Sequence, residues 1–365
     1  MDWRPIRAEF EVCSQWTYLN TAAFGMVPKR STDAMARHFA HRNELACTDF
    51  LDWYSRLNQL RASAARLVGA RAEDIAFVPN TATALALVVA NLDLKPRDNI
   101  VTLADEFPNF QYMPAARKVP PEGLADGRFF EAIDERTRLI CVSHVNYSTG
   151  LRAPIGEISR FAADRGIPVF VDGTQSVGAI QFDVAATPVS VLAVHAYKWL
   201  VSPSGAGFMY VAPEFRESLQ PLVIGWRSHH DWRNVDNFHT AAPVFPTSAE
   251  KYEGAGLPVS LLFALGSSLD WILEIGPDVV EARTLDLAQR CRKIVRRLGG
   301  DSLETGSQIA NGRFPGADVS ELAAQLKQQN VVVAARAGNL RISPHFYNNE
   351  EDLERLETGL KRALS

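Results

Sequence analysis

The chain has 365 residues, a formal charge of −4 and 47% hydrophobic residues. That length is too great for one compact core and implies a large domain with a smaller companion, while the slight acidity leaves no basis for nucleic-acid binding. No apolar run is long enough for a membrane span, the charged opening MDWRPIRAEF does not read as a signal peptide, and four scattered cysteines (Cys13, Cys47, Cys141, Cys291) make no disulfide framework, so a reducing cytoplasm is the expected setting.

Taken in order, Tyr18 to Gly25 reads as an extended segment entering a loop. Ser31 to about Ala70 is helical, with Met35, Phe39, Leu51, Tyr54, Leu57, Leu60 and Leu67 on its apolar faces. His38 and His41 lie a turn apart there without a third ligand nearby, which predicts exposed histidines rather than a metal site. Ile75–Val78 is a strand, and Pro79-Asn80-Thr81-Ala82-Thr83 opens a helix whose free N–H groups suit an anion. Ile100–Leu103 is the next strand, followed by Asp105-Glu106-Phe107-Pro108. Leu139–Ser143 is a strand leading into His144-Val145-Asn146-Tyr147-Ser148-Thr149-Gly150, and a helix over Ile155–Arg165 stops at Gly166.

Three apolar runs, Pro168–Val171, Val189–Val194 and Gly207–Val211, look like buried strands of a mostly parallel sheet. The first ends on Asp172, and the second is followed at once by His195, Tyr197 and Lys198. Ligands of open α/β sheets sit beyond the carboxyl ends of the strands, so Asp172 and Lys198 would share one crevice. The segment 221–249 is rich in aromatics and histidines, including Trp226, Arg227, His229, His230, Trp232, Phe238 and His239, and has the character of a long functional loop. Val259–Leu273 and Val279–Leu298 are helices interrupted at Gly276 and Pro277; the basic run Arg290-Cys291-Arg292-Lys293 reads as a solvated face. A helix over Val319–Gln329, a strand over Val331–Ala335 and a helix over Glu350–Leu364 describe a small α/β domain.

A lysine amine forms a Schiff base with an aldehyde, and a carboxylate beside a ring nitrogen keeps that ring protonated and electron-accepting. Lys198 and Asp172 are that pair, pyridoxal 5'-phosphate is an aldehyde with such a nitrogen, and Gln175 is placed to donate to its ring oxygen. Asp172-x-x-Gln175 followed by Tyr197-Lys198-Trp199-Leu200 resembles the class V aminotransferases of fold type I, which include cysteine desulfurases, kynureninase and isopenicillin N epimerase.

The resemblance implies a large, mostly parallel seven-stranded sheet domain over residues 21–262. A small C-terminal α/β domain would follow over 263–365, with residues 1–20 contributing to it. It assigns Thr81, the backbone of Ala82, His195 and Tyr197 to the cofactor phosphate, Phe107 to the face of the ring and Asn146 to its oxygen. Asn20 and Ala23 fall on the segment that passes the substrate; Arg341, in Arg341-Ile342-Ser343, matches the arginine that grips a substrate carboxylate, with Arg336 as a second candidate. The family's Gly-Thr pair is replaced by Ala255-Gly256, which leaves only the backbone of Gly256 to reach a phosphate across a homodimer whose active site lies at the interface. No cysteine occurs between Gly299 and Arg341, which disfavours a conventional desulfurase.

The expected function is an enzyme acting on a small amino acid, first by transamination. The alternatives are a kynureninase-like or C–S β-lyase reaction, and a catalytically idle binding protein. A nucleotide-binding oxidoreductase would need a GxGxxG after an early strand, and none follows Ile75–Val78.

Overall fold

The computed structural model describes residues 1–236 and 241–365; Phe238 and His239 of the aromatic segment lie outside the described residues. A seven-stranded sheet is built from β1 (Ile75–Val78), β2 (Asn99–Leu103), β3 (Ala116–Val119), β4 (Thr137–Ser143), β5 (Val169–Asp172), β6 (Val191–His195) and β7 (Gly207–Val211). Its spatial order is β1-β7-β6-β5-β4-β2-β3, and only β7 runs against its neighbours. The carboxyl ends of the other six strands therefore open on one edge of the sheet.

The central strands are mostly apolar because both faces are covered, whereas the edge strand β3 carries Arg117 and Lys118. Successive residues divide between two cores: Val169, Val171, Leu192 and Val194 join α2 (Phe50–Val68) and α4 (Ile155–Ala163), whereas Phe170, Val191 and Ala193 join α3 (Thr81–Ala90). The period-2 geometry of a strand produces that division.

The expected helix over 31–70 is two helices, α1 (Lys29–Leu45) and α2, broken where Ala46 and Cys47 adopt φ of 49° and 64°. Asp49 fixes the break by accepting from His41 Nε2 (2.6 Å) and Trp53 Nε1 (3.2 Å). His38 is buried, against expectation: α1 packs on α5 (Val259–Ile275) through the face that carries it, and its ring meets Trp53 and Phe263 edge-on. The basic face of α6 (Pro277–Arg297) also needs correcting. Arg292 is buried and donates to the carbonyls of Leu303, Ser307 and Ile309, which stitches the helix to the following loop.

A third core holds Leu287, Cys291, Leu322, Leu340, Leu356 and Leu360. It packs α6, α7 (Val319–Gln328) and α8 (Glu350–Leu364) around a small antiparallel sheet of β8 (Ala310–Gly312), β9 (Ala334–Arg336) and β10 (Asn339–Ile342). The single strand expected over 331–335 divides at Val333, because Val331–Val332 pairs with Thr17–Tyr18 in parallel instead. Leu19 sits in this third core, while Phe10 and Cys13 sit in the first, so the first twenty residues bridge the two domains. The larger buried apolar residues of α5, on which the expected boundary at 262/263 falls, join the first core, as does Val280 early in α6; the third core begins at Leu287.

Candidate active site

Five strand tips meet beside a cavity of about 310 Å³. From β1 come Asn80, Thr81 and Ala82 at the start of α3, where the Asn80 side chain caps Thr83 N–H at 2.9 Å. Phe107 and Asn109 follow β2, Ser143 ends β4, Asp172 ends β5, and His195, Tyr197 and Lys198 lie at and beyond the end of β6.

The loop carrying Lys198 is held from several sides. Gly25 N–H donates to Tyr197 O at 2.8 Å, and a Cβ at Gly25 would lie 1.9 Å from Lys198 O, so only glycine lets the N-terminal segment pass. Trp199 Nε1 donates to Gln175 Oε1 (2.8 Å), and His345 Nε2 bonds Trp199 O (2.9 Å). Val201 N–H closes onto Lys198 O at 3.1 Å with φ of 45°, a strained position for a β-branched residue. The result is a buried amine on a fixed backbone.

The charges around the cavity are poorly matched. Burial drives Lys198 down to about 8, Asp172 opposes this, and Arg341 adds to it; Nζ makes no hydrogen bond or ion pair among the described residues. An amine so tuned is partly free at neutral pH and can act as nucleophile and base. Burial also pushes the Asp172 carboxyl up, against hydrogen bonds from Thr174 and the attraction of Lys198. That carboxyl would gain from a cationic N–H set against it. His195 is pushed down to about 4 by burial and by Lys198; its Nε2 accepts from Gly205 N–H, so it offers a neutral Nδ1–H donor.

Arg341 is buried behind Tyr147. Its Nη1 donates to Tyr147 O (2.6 Å) and its Nη2 to Asn20 Oδ1 (3.4 Å), but its Nε has no partner. Burial, then the charge of Arg336, pushes it down to about 10. A buried guanidinium without a carboxylate is costly, and a bidentate anion would relieve it.

Of the expected residues, Thr81, Ala82, Phe107, Asp172, Gln175, His195, Tyr197 and Lys198 all line the cavity. Arg341 and Asn20 stand next to it as a bonded pair, and Ala23 lies on the tight turn beside them, its N–H on Asn20 O. Asn146 does not face the cavity. Its amide is spent within the loop, Nδ2 on Asp105 and Oδ1 on the N–H groups of Ser148 and Thr149, and Tyr147 lines the space instead. Arg336 is exposed and bonds Ala335 O, so it acts on Arg341 only through its charge. Gly256 is exposed and outside this chain's cavity.

Sequence reading missed Ser143, Asn109, Thr174 and Tyr147. Asn109 donates to Thr81 Oγ1 (3.3 Å), while Thr174 gives its N–H to Asp172 and accepts His195 N–H (3.0 Å). Ser143 was legible as the last residue of a strand. Tyr147 carried no sequence signal of its own, being one residue of a loop motif.

A fold of this topology, with a lysine and an aspartate at neighbouring strand tips, an anion-binding helix start and an aromatic ring at 5.6 Å from the lysine nitrogen, defines a pyridoxal-phosphate-dependent enzyme of fold type I. The chain belongs to the class V aminotransferase family, whose model matches residues 17–356. It is 29% identical to isopenicillin N epimerase of Streptomyces clavuligerus, with 98% of each chain covered. It is 24% identical to a probable cysteine desulfurase of Methanothermobacter thermautotrophicus, over 98% of this chain and 96% of that one. Among solved structures, the Escherichia coli cysteine desulfurase CsdA superposes with a TM-score of 0.87 at 22% identity, covering 100% and 98% of the two chains. The cystine C–S lyase C-DES gives 0.87 at 20%, covering 96% and 98%.

The residues present fit pyridoxal phosphate. Lys198 would carry its aldehyde carbon, Asp172 would face its ring nitrogen, Phe107 would lie on its ring, and Thr81, Ala82, His195 and Tyr197 would surround its phosphate.

Proposed function

We propose that the protein is an aminotransferase for a free α-amino acid. The observation that carries this reading is Arg341: a buried guanidinium with an orphaned Nε, bonded to Tyr147, which lines the cavity that holds Lys198. It would take the substrate carboxylate, with Asn20 steadying its Nη2. Bound pyridoxal phosphate supplies an electron sink for the charge left on the substrate α-carbon. Lys198, tuned to about 8, would take the proton from the substrate α-carbon and, for transamination, would give it up on the same face to the carbon that came from the aldehyde rather than back to the α-carbon. Asp172 keeps the ring nitrogen protonated throughout.

None of the four cysteines lines the cavity, which supports the reading against a thiol-based desulfurase. The working unit is taken as a cytoplasmic homodimer; the exposed run Leu222, Val223, Ile224 and Trp226, with Val244, gives an apolar face for a second copy to cover. A second reading, return of the proton to the α-carbon with inversion, is favoured by the 29% identical epimerase.

A panel of amino acids offered with a 2-oxo acid in deuterated water tests both. Transfer gives a new oxo acid matched by a new amino acid. Inversion gives α-deuterated substrate of both hands and no oxo acid. Release of pyruvate and ammonia with a thiol would instead point to β-elimination, and release of alanine with an anthranilate to a kynureninase-like cleavage; either would overturn the proposal.

A further inference from the structure

Glu106 is fully enclosed and takes no part in the chemistry above. It follows the end of β2, and its carboxylate reaches across to the end of β4, where Oε1 accepts Ser143 N–H (2.6 Å) and Oε2 accepts the Ser143 hydroxyl (2.5 Å). Ser143 lines the cavity and is the cross-strand partner of Asp172 on β5. Three adjacent strands, β2, β4 and β5, thus present Glu106, Ser143 and Asp172 as one row. No lysine, arginine or histidine bonds Glu106 among the described residues. The titratable groups facing it are Asp105 on its own loop, Asp172 on β5 and the Cys141 thiol on β4, all anionic or neutral. A buried carboxyl in that company is expensive unless a cation arrives.

We infer that Glu106 is a positioning residue for the cofactor ring: clamped to Ser143, it sets a second carboxylate behind Asp172, and the two together hold the ring nitrogen protonated. The state of the protein without cofactor agrees with this. Burial, with Asp172 and Asp105 adding to it, lifts Glu106 to about 7 against the two bonds from Ser143. A protonated ring nitrogen beyond Asp172 supplies the missing positive charge and lowers that value. The inference rests on the cofactor seating on Lys198 and is independent of the reaction that follows.

The test uses wild-type protein carrying glutamate labelled with ¹³C at the side-chain carboxyl, titrated by NMR with and without pyridoxal phosphate. Glutamate-specific labelling keeps Asp172 silent. Without cofactor, one glutamate should titrate near neutrality; with cofactor the same signal should titrate at least about one pH unit lower, a tenfold change in proton affinity. The companion variant is Glu106→Gln, which keeps an acceptor for Ser143 N–H and a group to meet its hydroxyl. Loaded with ¹⁵N-labelled cofactor, it should release the ring-nitrogen proton at a pH at least about one unit lower than wild type does. A purely structural role would leave the ring titration unmoved. Identical glutamate titrations in the two wild-type states overturn the inference even if the variant does not fold. Borohydride labelling of Lys198 is run alongside: no label in wild type removes the cofactor site itself, whereas label with unmoved titrations removes only the role of Glu106.

Discussion

Among the buried charges of the described residues, two groups are built in opposite ways. One group joins α2 to the end of the aromatic segment. Glu253 accepts Arg61 (2.6 Å), Arg227 (2.9 Å) and the N–H of Phe77 (2.9 Å), while Glu250 takes Arg227 from the other side (2.8 Å). Arg61 also holds Ile75 O and lies over the Phe77 ring; Arg227 is packed against Tyr54 and Trp232. Burial pushes the Glu253 carboxyl up, but the two arginines outweigh it and hold it below its ordinary value. This group also covers the open edge of β1, whose N–H at Phe77 would otherwise be unpaired. The other group, around the cavity, contains Lys198, Asp172, Arg341 and Glu106, and every member leans toward its neutral form. Paired charges here serve the fold. The unpaired ones around the cavity are where a ligand would bring the missing partners.

Substitutions in the two groups should have different consequences. The largest effect is expected at Lys198→Ala, which should lower turnover by about a thousandfold or more and abolish visible absorbance from the cofactor on Lys198. The melting temperature of the cofactor-free variant should stay at or above that of wild type, since an unpaired buried amine is removed. Next comes Glu253→Ala, which strands Arg61 and leaves Arg227 with Glu250 alone, and should cost about 3–5 kcal/mol in denaturant unfolding. Asp172→Asn in the cofactor-free protein should cost less than about 1 kcal/mol while weakening cofactor retention. Equal losses from the two substitutions would erase the distinction. Arg341→Lys keeps the charge but not the fork, and steady-state kinetics should show KM rising about tenfold or more with the fold intact.

The smallest effect is in pH. His345 and His144 are pushed by burial to about 3, below the 6.5 of an unfolded histidine. The unfolded chain therefore binds protons first as pH falls, so their contribution is full above 6.5 and is lost on descent toward 3. The slope is at most about 1.4 kcal/mol per pH unit for each histidine. Glu106, raised to about 7 from 4.5, works the other way, adding stability as pH falls from 7 to 4.5 in the cofactor-free protein. Melting curves of that protein between pH 7 and 5 should fall less steeply in His345→Gln than in wild type.

Much of this was legible in the chain. Buried parallel strands are continuous apolar runs, and a residue that follows such a run must sit at the sheet's open edge, so Asp172 and Lys198 could be placed together. The helix break at Ala46 and Cys47 was not legible, because no glycine or proline marks it and Asp49 fixes it through tertiary bonds. His38 and Arg292 were misjudged for a related reason: burial of a polar side chain depends on which neighbour covers it, and that neighbour is distant in sequence. Asn146 was assigned on its match to the family motif alone, and a motif does not say where a side chain spends its hydrogen bonds: here the amide shapes the loop, and Tyr147 lines the cavity.

Borohydride reduction of the protein loaded with pyridoxal phosphate, followed by peptide mapping, shows which amine holds the cofactor. One pyridoxyl-modified residue is expected, Lys198, with the label lost in Lys198→Ala. Absence of label, or its appearance on another lysine, would contradict a cofactor seated on Lys198.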